Sequence, residues 1–381
     1  MRRLTSLMVV FILTAFLGAP AWAEEKAADQ KPAASLEEGF AKLAGDTTKL
    51  KIGLWFKGGW FNDTQANPGN QFYVRNARPY FYGQLADKLG WRVSVDFSTT
   101  AANPVTLRDA FIWADYIPYN RVVLGQFLVP FTVESTQTWE VHMVNNSMVV
   151  NYVQIPTARD LGIMVNGKYE TPVGDGKLGA GYDLAYVNGT GTNNTDNNSE
   201  KDFVARLWTT PVINGLKVGG SMVLGKGRTS ATDITEKTRN RYGLYAEYLP
   251  TNNILKGLRV KGEYIQDKRW VTTTSFKNRF AHAYGWYATV WYKVDGLEGP
   301  FSVLNGVEPL VRYDFLDEAK EVKENDRNRT TVGVNYYFNK YSRLKLNYEF
   351  THCDTALAKN SLAAADTVSH QVFTTEFEIW F

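Results

Sequence analysis

Gln371-Val-Phe-Thr-Thr-Glu-Phe-Glu-Ile-Trp-Phe381 closes the chain, and its alternation carries the first decision about the fold. Phe373, Phe377, Ile379 and Phe381 share one parity, whereas Thr374, Glu376 and Glu378 take the other, so a strand here has one oily face and one charged face. About 9–11 tilted residues of this kind cross a bilayer. Ending on such a strand is physically sensible when it pairs with the first strand, because an open edge in lipid leaves backbone N–H and C=O groups without partners. An edge strand of a soluble sandwich is the competing reading.

The rest of the chain favours the membrane. It has 381 residues, 14% aromatic, with mean hydropathy −0.30. Beyond residue 23 no apolar run reaches the roughly 18–20 residues of a transmembrane helix, whereas a polar average with many aromatics suits a barrel whose strands are wet on one side. Arg2 and Arg3 precede the apolar run Leu4 to Leu17, and Ala21-Trp22-Ala23 offers small residues where a signal peptidase reads, which predicts export with cleavage after Ala23. Losing Arg2 and Arg3 leaves 40 of the 42 basic residues against 39 acidic ones, a balance that gives no reason to expect a nucleic-acid partner. The single Cys353 excludes an internal disulfide and a cysteine-rich metal site. Residues 24–50 are charged and Ala-rich, and Ser35-Leu-Glu-Glu38 begins a short helical pattern; a periplasmic leader or a linker is expected there.

Residues 51–381 read as one all-β domain of sixteen alternating segments, near 51–61, 71–85, 90–98, 106–116, 120–131, 160–170, 177–187, 201–210, 215–225, 240–249, 256–266, 281–293, 306–316, 328–339, 341–350 and 371–381. Their connections alternate in length. Those at 62–70, 99–105, 132–159, 188–200, 226–239, 267–280, 317–327 and 351–370 are long, while those at 86–89, 117–120, 171–176, 211–214 and 339–340 are short; 294–305 is the exception. Long loops on one rim and short turns on the other are the pattern of an antiparallel transmembrane barrel, with the long loops outside and the turns in the periplasm. About sixteen strands enclose an aqueous channel. On the inward parity, Arg92, Arg206, Arg259, Lys261, Arg312, Arg343 and Lys345 are matched by Asp96, Asp183, Glu247, Glu263, Asp314, Glu349, Glu376 and Glu378.

Four stretches carry a family likeness: Phe72-Tyr-Val-Arg-Asn-Ala-Arg-Pro-Tyr-Phe-Tyr-Gly83, Leu107-Arg-Asp-Ala-Phe-Ile112, Leu124-Gly-Gln-Phe-Leu-Val-Pro-Phe131 and Pro156-Thr-Ala-Arg-Asp-Leu-Gly162. Tyr186-Val-Asn-Gly-Thr-Gly191 and Glu308-Pro-Leu-Val-Arg-Tyr-Asp314 add weaker matches. With them the chain resembles the phosphate-selective porins of bacterial outer membranes, the porin O and P type. The resemblance implies a sixteen-stranded homotrimeric porin in outer-membrane lipid, passing small anions such as phosphate, with no cofactor.

A channel this wide is expected to be narrowed by its third long loop, 132–159, with basic side chains setting anion preference. Arg78 shares the inward parity of Tyr80 and Tyr82. Arg75 has the opposite parity and reaches the lumen only through a bulge or over the rim. The expected pore residues are Arg78 and Arg159 at the constriction, Arg75 beside them, and Arg206 and Arg312 as supporting charges along the path. Two departures predict a modest preference: Asn76 stands where the family commonly has arginine, and the loop has no lysine yet carries Glu134 and Glu140. A non-selective or weakly cation-selective porin is the alternative. An enzyme or adhesin on a barrel is disfavoured, because His142, His282, His352 and His370 lie in or beside long loops and neither G-x-S-x-G nor H-x-x-x-H occurs. No catalytic or metal-binding residue is assigned.

Overall fold

The computed structural model describes residues 50–381 except 67–68, 101–102, 138–142, 154–157, 175, 229–235, 252–254, 272–278, 297–304, 324 and 355–368. The expected signal peptide, nearly all of the leader, Glu140 and His142 therefore lie outside the described residues.

Sixteen antiparallel strands form one closed barrel: β1 Lys51–Asp63, β2 Asn70–Ala86, β3 Leu89–Phe97, β4 Val105–Ala114, β5 Asn120–Leu128, β6 Arg159–Val173, β7 Gly176–Val187, β8 Asp202–Thr210, β9 Leu216–Leu224, β10 Asn240–Tyr248, β11 Leu258–Val271, β12 Arg279–Tyr292, β13 Gly306–Asp317, β14 Asp326–Asn339, β15 Ser342–Cys353 and β16 His370–Trp380. Each pairs with its sequence neighbours, and β16 returns to β1, from Trp55 opposite Trp380 to Asp63 opposite Val372. That closure satisfies the edge, and Phe381 completes it by exchanging backbone hydrogen bonds with Leu54 at 3.1 and 3.2 Å. The irregular connection after β12 is explained by Val294–Asp295, which prolongs the hairpin against Gly306 and Val307.

The two faces follow the parity read from the sequence. Val93, Leu207, Leu244, Val332 and Phe373 face outward and are exposed, while Glu247, Glu263, Arg312, Lys345, Glu376 and Glu378 face inward and are buried. This inverted distribution is stable only with lipid outside and water or polar partners inside.

The third outer loop, between β5 and β6, folds into the lumen. Its two short helices, α1 Val133–Thr136 and α2 Met148–Val153, carry it across to the far wall. Val149, Val150 and Val153 of α2 are fully buried against Ile265, Tyr287 and Leu316 of β11, β12 and β13. Burial of each valine contributes about 1.5–3 kcal/mol. Gly285 leaves room for the helix: a Cβ there would stand 2.8 Å from Val149. The far side of the lumen is thus filled by loop and apolar side chains, and a cavity remains on the side lined by β1–β4.

Candidate functional site: the basic waist of the channel

Two irregularities in the strand ladder build the waist. The register of β1 against β2 shifts between Lys57 and Gly58, so Asn76 and Val74 are paired and Arg75 between them has no cross-strand partner. The register of β3 against β4 shifts between Ser94 and Val95, so Asp109 and Leu107 are paired and Arg108 is skipped. An extra residue in one strand of a pair re-aims its side chain, and both arginines consequently line the same cavity of about 450 Å³ together with Arg78 and Arg159.

The freed backbone groups are capped from neighbouring segments. Thr99 donates its N–H to the Val74 carbonyl at 2.8 Å, and its hydroxyl oxygen accepts from the Val74 N–H at 2.9 Å. Gln126 donates its amide to the carbonyls of Leu107 and Arg108, both at 2.9 Å. Gln126 belongs to the Gly125-Gln126-Phe127 stretch. Gly125 has a φ of 129°, and a Cβ there would come within 2.3 Å of the Ala110 carbonyl. Glycine is required at that point by a positive φ and by close backbone approach. The Asp160 carboxylate, in another of the sequence stretches, accepts from the N–H groups of Gly189 and Gly191, at 2.7 and 3.2 Å, and ties the fourth outer loop to the start of β6.

Arg78 donates to Asp96 at 2.7 Å and lies with its guanidinium 4.8 Å from the ring of Trp55, whose other neighbour Lys57 is 4.3 Å away. Arg108 also approaches Asp96, at 3.5 Å. Arg159 binds Asp109 at 2.7 Å, and Arg92 shares that carboxylate at 3.3 Å. Arg75 binds Glu376 at 2.8 Å and reaches Asn145 of the loop at 3.2 Å. Lys57, Arg343 and Lys345 converge on Glu378 at 3.7, 2.7 and 2.8 Å, and Lys345 lies 3.6 Å from Glu376. On this wall eight cations, Lys57, Arg75, Arg78, Arg92, Arg108, Arg159, Arg343 and Lys345, therefore share four carboxylates, Asp96, Asp109, Glu376 and Glu378. Of the four arginines lining this cavity, the most open are Arg75, with 34% of its side chain exposed, and Arg108, with 22%; Arg78 and Arg159 retain 4% and 5%.

The opposite lip is the loop, with Glu134, Ser135, Val144, Asn145, Asn146 and Asn151. The two oxygens of Glu134 accept from Arg312 at 3.1 Å and from the Ser147 N–H at 2.7 Å. Arg312 also donates to Asp314 at 2.9 Å and to the carbonyls of Asn145 and Asn146 at 2.9 and 3.2 Å. Arg329 reinforces the same loop turn through the Asn146 carbonyl, at 2.6 Å.

Three of the expected pore residues, Arg75, Arg78 and Arg159, are thus brought together, and Arg75 arrives by a bulge. Two fall elsewhere. Arg312 is fully buried and engaged in holding the loop, so its expected place along the open path is corrected to that of an anchor. Arg206 lies in a separate cavity of about 660 Å³ on the turn side of the loop, bound to Asp183 at 2.8 Å and to Thr136 at 2.6 Å. Parity alone does not give Arg108, because it alternates with Asp109 until the bulge is known, whereas Lys57 shares the inward parity of Trp55 and joins the same wall through Glu378.

The sequence matches the family model described as phosphate-selective porin O and P over residues 50–235 and 225–381. The chain belongs to that family. It is accordingly a channel protein of the bacterial outer membrane that passes small anions, rather than a member of an enzyme family. No curated protein sequence matches the chain. Among solved structures, the anion-selective porin from Comamonas acidovorans is similar with a TM-score of 0.61 at 14% identity, covering 88% of this chain and 100% of that one. OmpF of Salmonella typhi, in a complex with daunomycin, gives 0.62 at 14% identity over 88% and 98%. In-vitro folded OmpT of Vibrio cholerae, in its trimer form, gives 0.58 at 13% identity over 88% and 100%. At these identities the likeness establishes the barrel fold of the porin.

Proposed function

We propose that the porin selects oxyanions of the size of phosphate at its waist, where Arg75, Arg78, Arg108 and Arg159 present guanidiniums to the passing ion and Lys57 and Arg92 flank them. The observation that carries the reading is the excess of eight cations over four carboxylates on the wall facing the loop, which outweighs the loop-side cluster in which Arg312 and Arg329 share Glu134, Asp314 and Glu349. A surplus charge acts strongly here because the waist is narrow and water screens less than at the wide mouths. Arg206 and Lys217, the latter 4.9 Å over the ring of Trp208, extend a basic surface on the turn side of the loop. The amides and hydroxyls of Asn76, Ser98, Thr100, Thr106 and Asn145 replace part of the hydration shell that an anion sheds in the waist.

The mature chain begins after Ala23, residues 24–50 lie in the periplasm, and three copies associate through lipid-facing strand surface. These points rest on the signal sequence, on the C-terminal closure at the turn side, and on the family. Cross-linking in mild detergent yields trimers on this reading; monomers alone contradict the association.

The functional reading is tested by adding phosphate to wild-type protein carrying chloride current in a planar bilayer. Phosphate entering the same arginines reduces the chloride current in a saturable way. Chloride current that is indifferent to phosphate contradicts it.

A further inference from the structure

Trp55 of β1 is the common neighbour of two ion pairs in the waist, and neither pair is fully closed. Lys57 stands 4.3 Å from the centre of its ring and Arg78 4.8 Å from it. Both positions follow from the ladder: Lys57 lies two residues further along the inward face of β1, and Arg78 is the cross-strand partner of Trp55 on β2. The indole N–H donates to Oε1 of Glu378 at 2.7 Å, whereas the Nζ of Lys57 stops 3.7 Å from that same oxygen, outside hydrogen-bond range. Arg78 meets Asp96 through one nitrogen and one oxygen, Nη2 to Oδ2 at 2.7 Å, while its Nε and the Oδ1 of Asp96 have no hydrogen-bond partner among the described residues. An arginine and a carboxylate free to settle close as a two-bond fork, and buried donors and acceptors left single are costly. Trp55 is 4% exposed and tied at its nitrogen, so its ring is held in place between the two cations and their carboxylates.

We propose that Trp55 is a positioning residue for anion selection: its face seats Lys57 and Arg78 while its N–H occupies the Glu378 oxygen nearest Lys57, and both ion pairs are thereby held short of closure. The inference rests on the anion reading above and deepens it. A cation against an aromatic face is attracted by the ring quadrupole without losing its charge to a counter-ion, so both side chains stay fixed and keep more of their field in the cavity they line. The indole nitrogen contributes in a second way. An uncharged donor satisfies a buried carboxylate oxygen that would otherwise draw Lys57 in. The other oxygen of Glu378, Oε2, is supplied by Arg343 and Lys345 at 2.7 and 2.8 Å.

The test uses Trp55→Phe, which keeps a ring and removes the N–H, and Trp55→Leu, which removes both, in the full-length protein, with heat-modifiable gel mobility to verify the folded barrel. The readouts are the reversal potential in a potassium chloride gradient and the block of chloride current by inorganic phosphate. Neither substitution changes a charge, so a purely structural role leaves both readouts where they were. With Trp55 positioning the cations, Trp55→Phe lowers the chloride to potassium permeability ratio severalfold as Lys57 closes on Glu378. Trp55→Leu lowers it further and raises the half-blocking phosphate concentration severalfold as Arg78 closes on Asp96. Trp55→Phe added to Lys57→Gln changes the ratio no further, since the side chain it acts through is gone. Trp60→Phe, on the opposite parity of the same strand, changes neither readout. Folded variants whose ratio and block match the wild type, or a Trp55→Phe effect that persists undiminished beside Lys57→Gln, overturn the proposal. A wild type that prefers cations overturns the underlying anion reading instead, so the two failures are distinct.

Discussion

The amide of Gln126 on β5 reaches across to the carbonyl of Arg108 on β4 at 2.9 Å, so the residue that caps the bulge also fixes the backbone from which a pore arginine springs. Gln126→Leu keeps the volume and removes the donor, leaving the Leu107 and Arg108 carbonyls without their side-chain partner. The expected cost is about 1–3 kcal/mol for each buried acceptor left unsatisfied. Thermal unfolding in detergent and the bilayer reversal potential are predicted to fall together. A variant that loses stability but keeps full anion preference would show that Arg108 does not depend on this cap.

Arg75 and Arg108 expose more guanidinium to the lumen than Arg78 and Arg159 do. Removing either of the first two is therefore predicted to lower the chloride to potassium permeability ratio several-fold, consistent with about 1 kcal/mol for one charge near a passing ion in a wet site. Arg78→Ala and Arg159→Ala lower it as well, and they also weaken phosphate block, because they free Asp96 and Asp109 to repel the anion. Unchanged reversal potential and block in these variants would show that selectivity is set elsewhere.

Arg312 is an anchor, and its loss has a different signature. Arg312→Ala leaves Glu134 and Asp314 buried beside one another's vacated partner and releases the carbonyls of Asn145 and Asn146. Breaking a buried pair in this way costs about 3–5 kcal/mol. The prediction is a larger and noisier single-channel conductance with the barrel still folded. A quiet channel of wild-type conductance would mean that the apolar seat of Val149, Val150 and Val153 holds the loop alone.

Much of this was legible in the sequence. Strand alternation and the long and short connections give the closed barrel, and the terminal strand 371–381 gives its seam with β1. The parity of Arg78 gives its inward direction, and its side chain lines the cavity at the waist. Side-chain parity, however, assumes an unbroken ladder. Where β4 gains a residue, Arg108 turns inward against its apparent face, and only the need for a bulge at Arg75 was visible beforehand. Parity also reports that Arg312 points inward without reporting what lies there. The landing place of the third loop on β11–β13 depends on contacts between residues more than 100 positions apart, such as Val133 with Glu263 and Met148 with Asp314. Those contacts turn an open lumen charge into a buried anchor.

Barrel closure is predicted to depend on the last residues. Phe381 bonds Leu54 through its backbone and accepts from the Tyr80 hydroxyl at 2.5 Å. Deleting Trp380 and Phe381 removes these bonds and the Trp55 to Trp380 pair. The heat-modifiable fraction recovered from membranes is expected to drop severalfold, and an undiminished yield of folded barrel would contradict the seam's role in assembly.

The central claim, that the waist carries a surplus of accessible positive charge, is tested most directly by the reversal potential of the wild-type channel in a potassium chloride gradient across a planar bilayer. The account predicts a potential of the sign that marks chloride as the more permeant ion, shrinking as total salt is raised and the arginines are screened. A potential of the opposite sign, marking potassium as the more permeant ion, would contradict it.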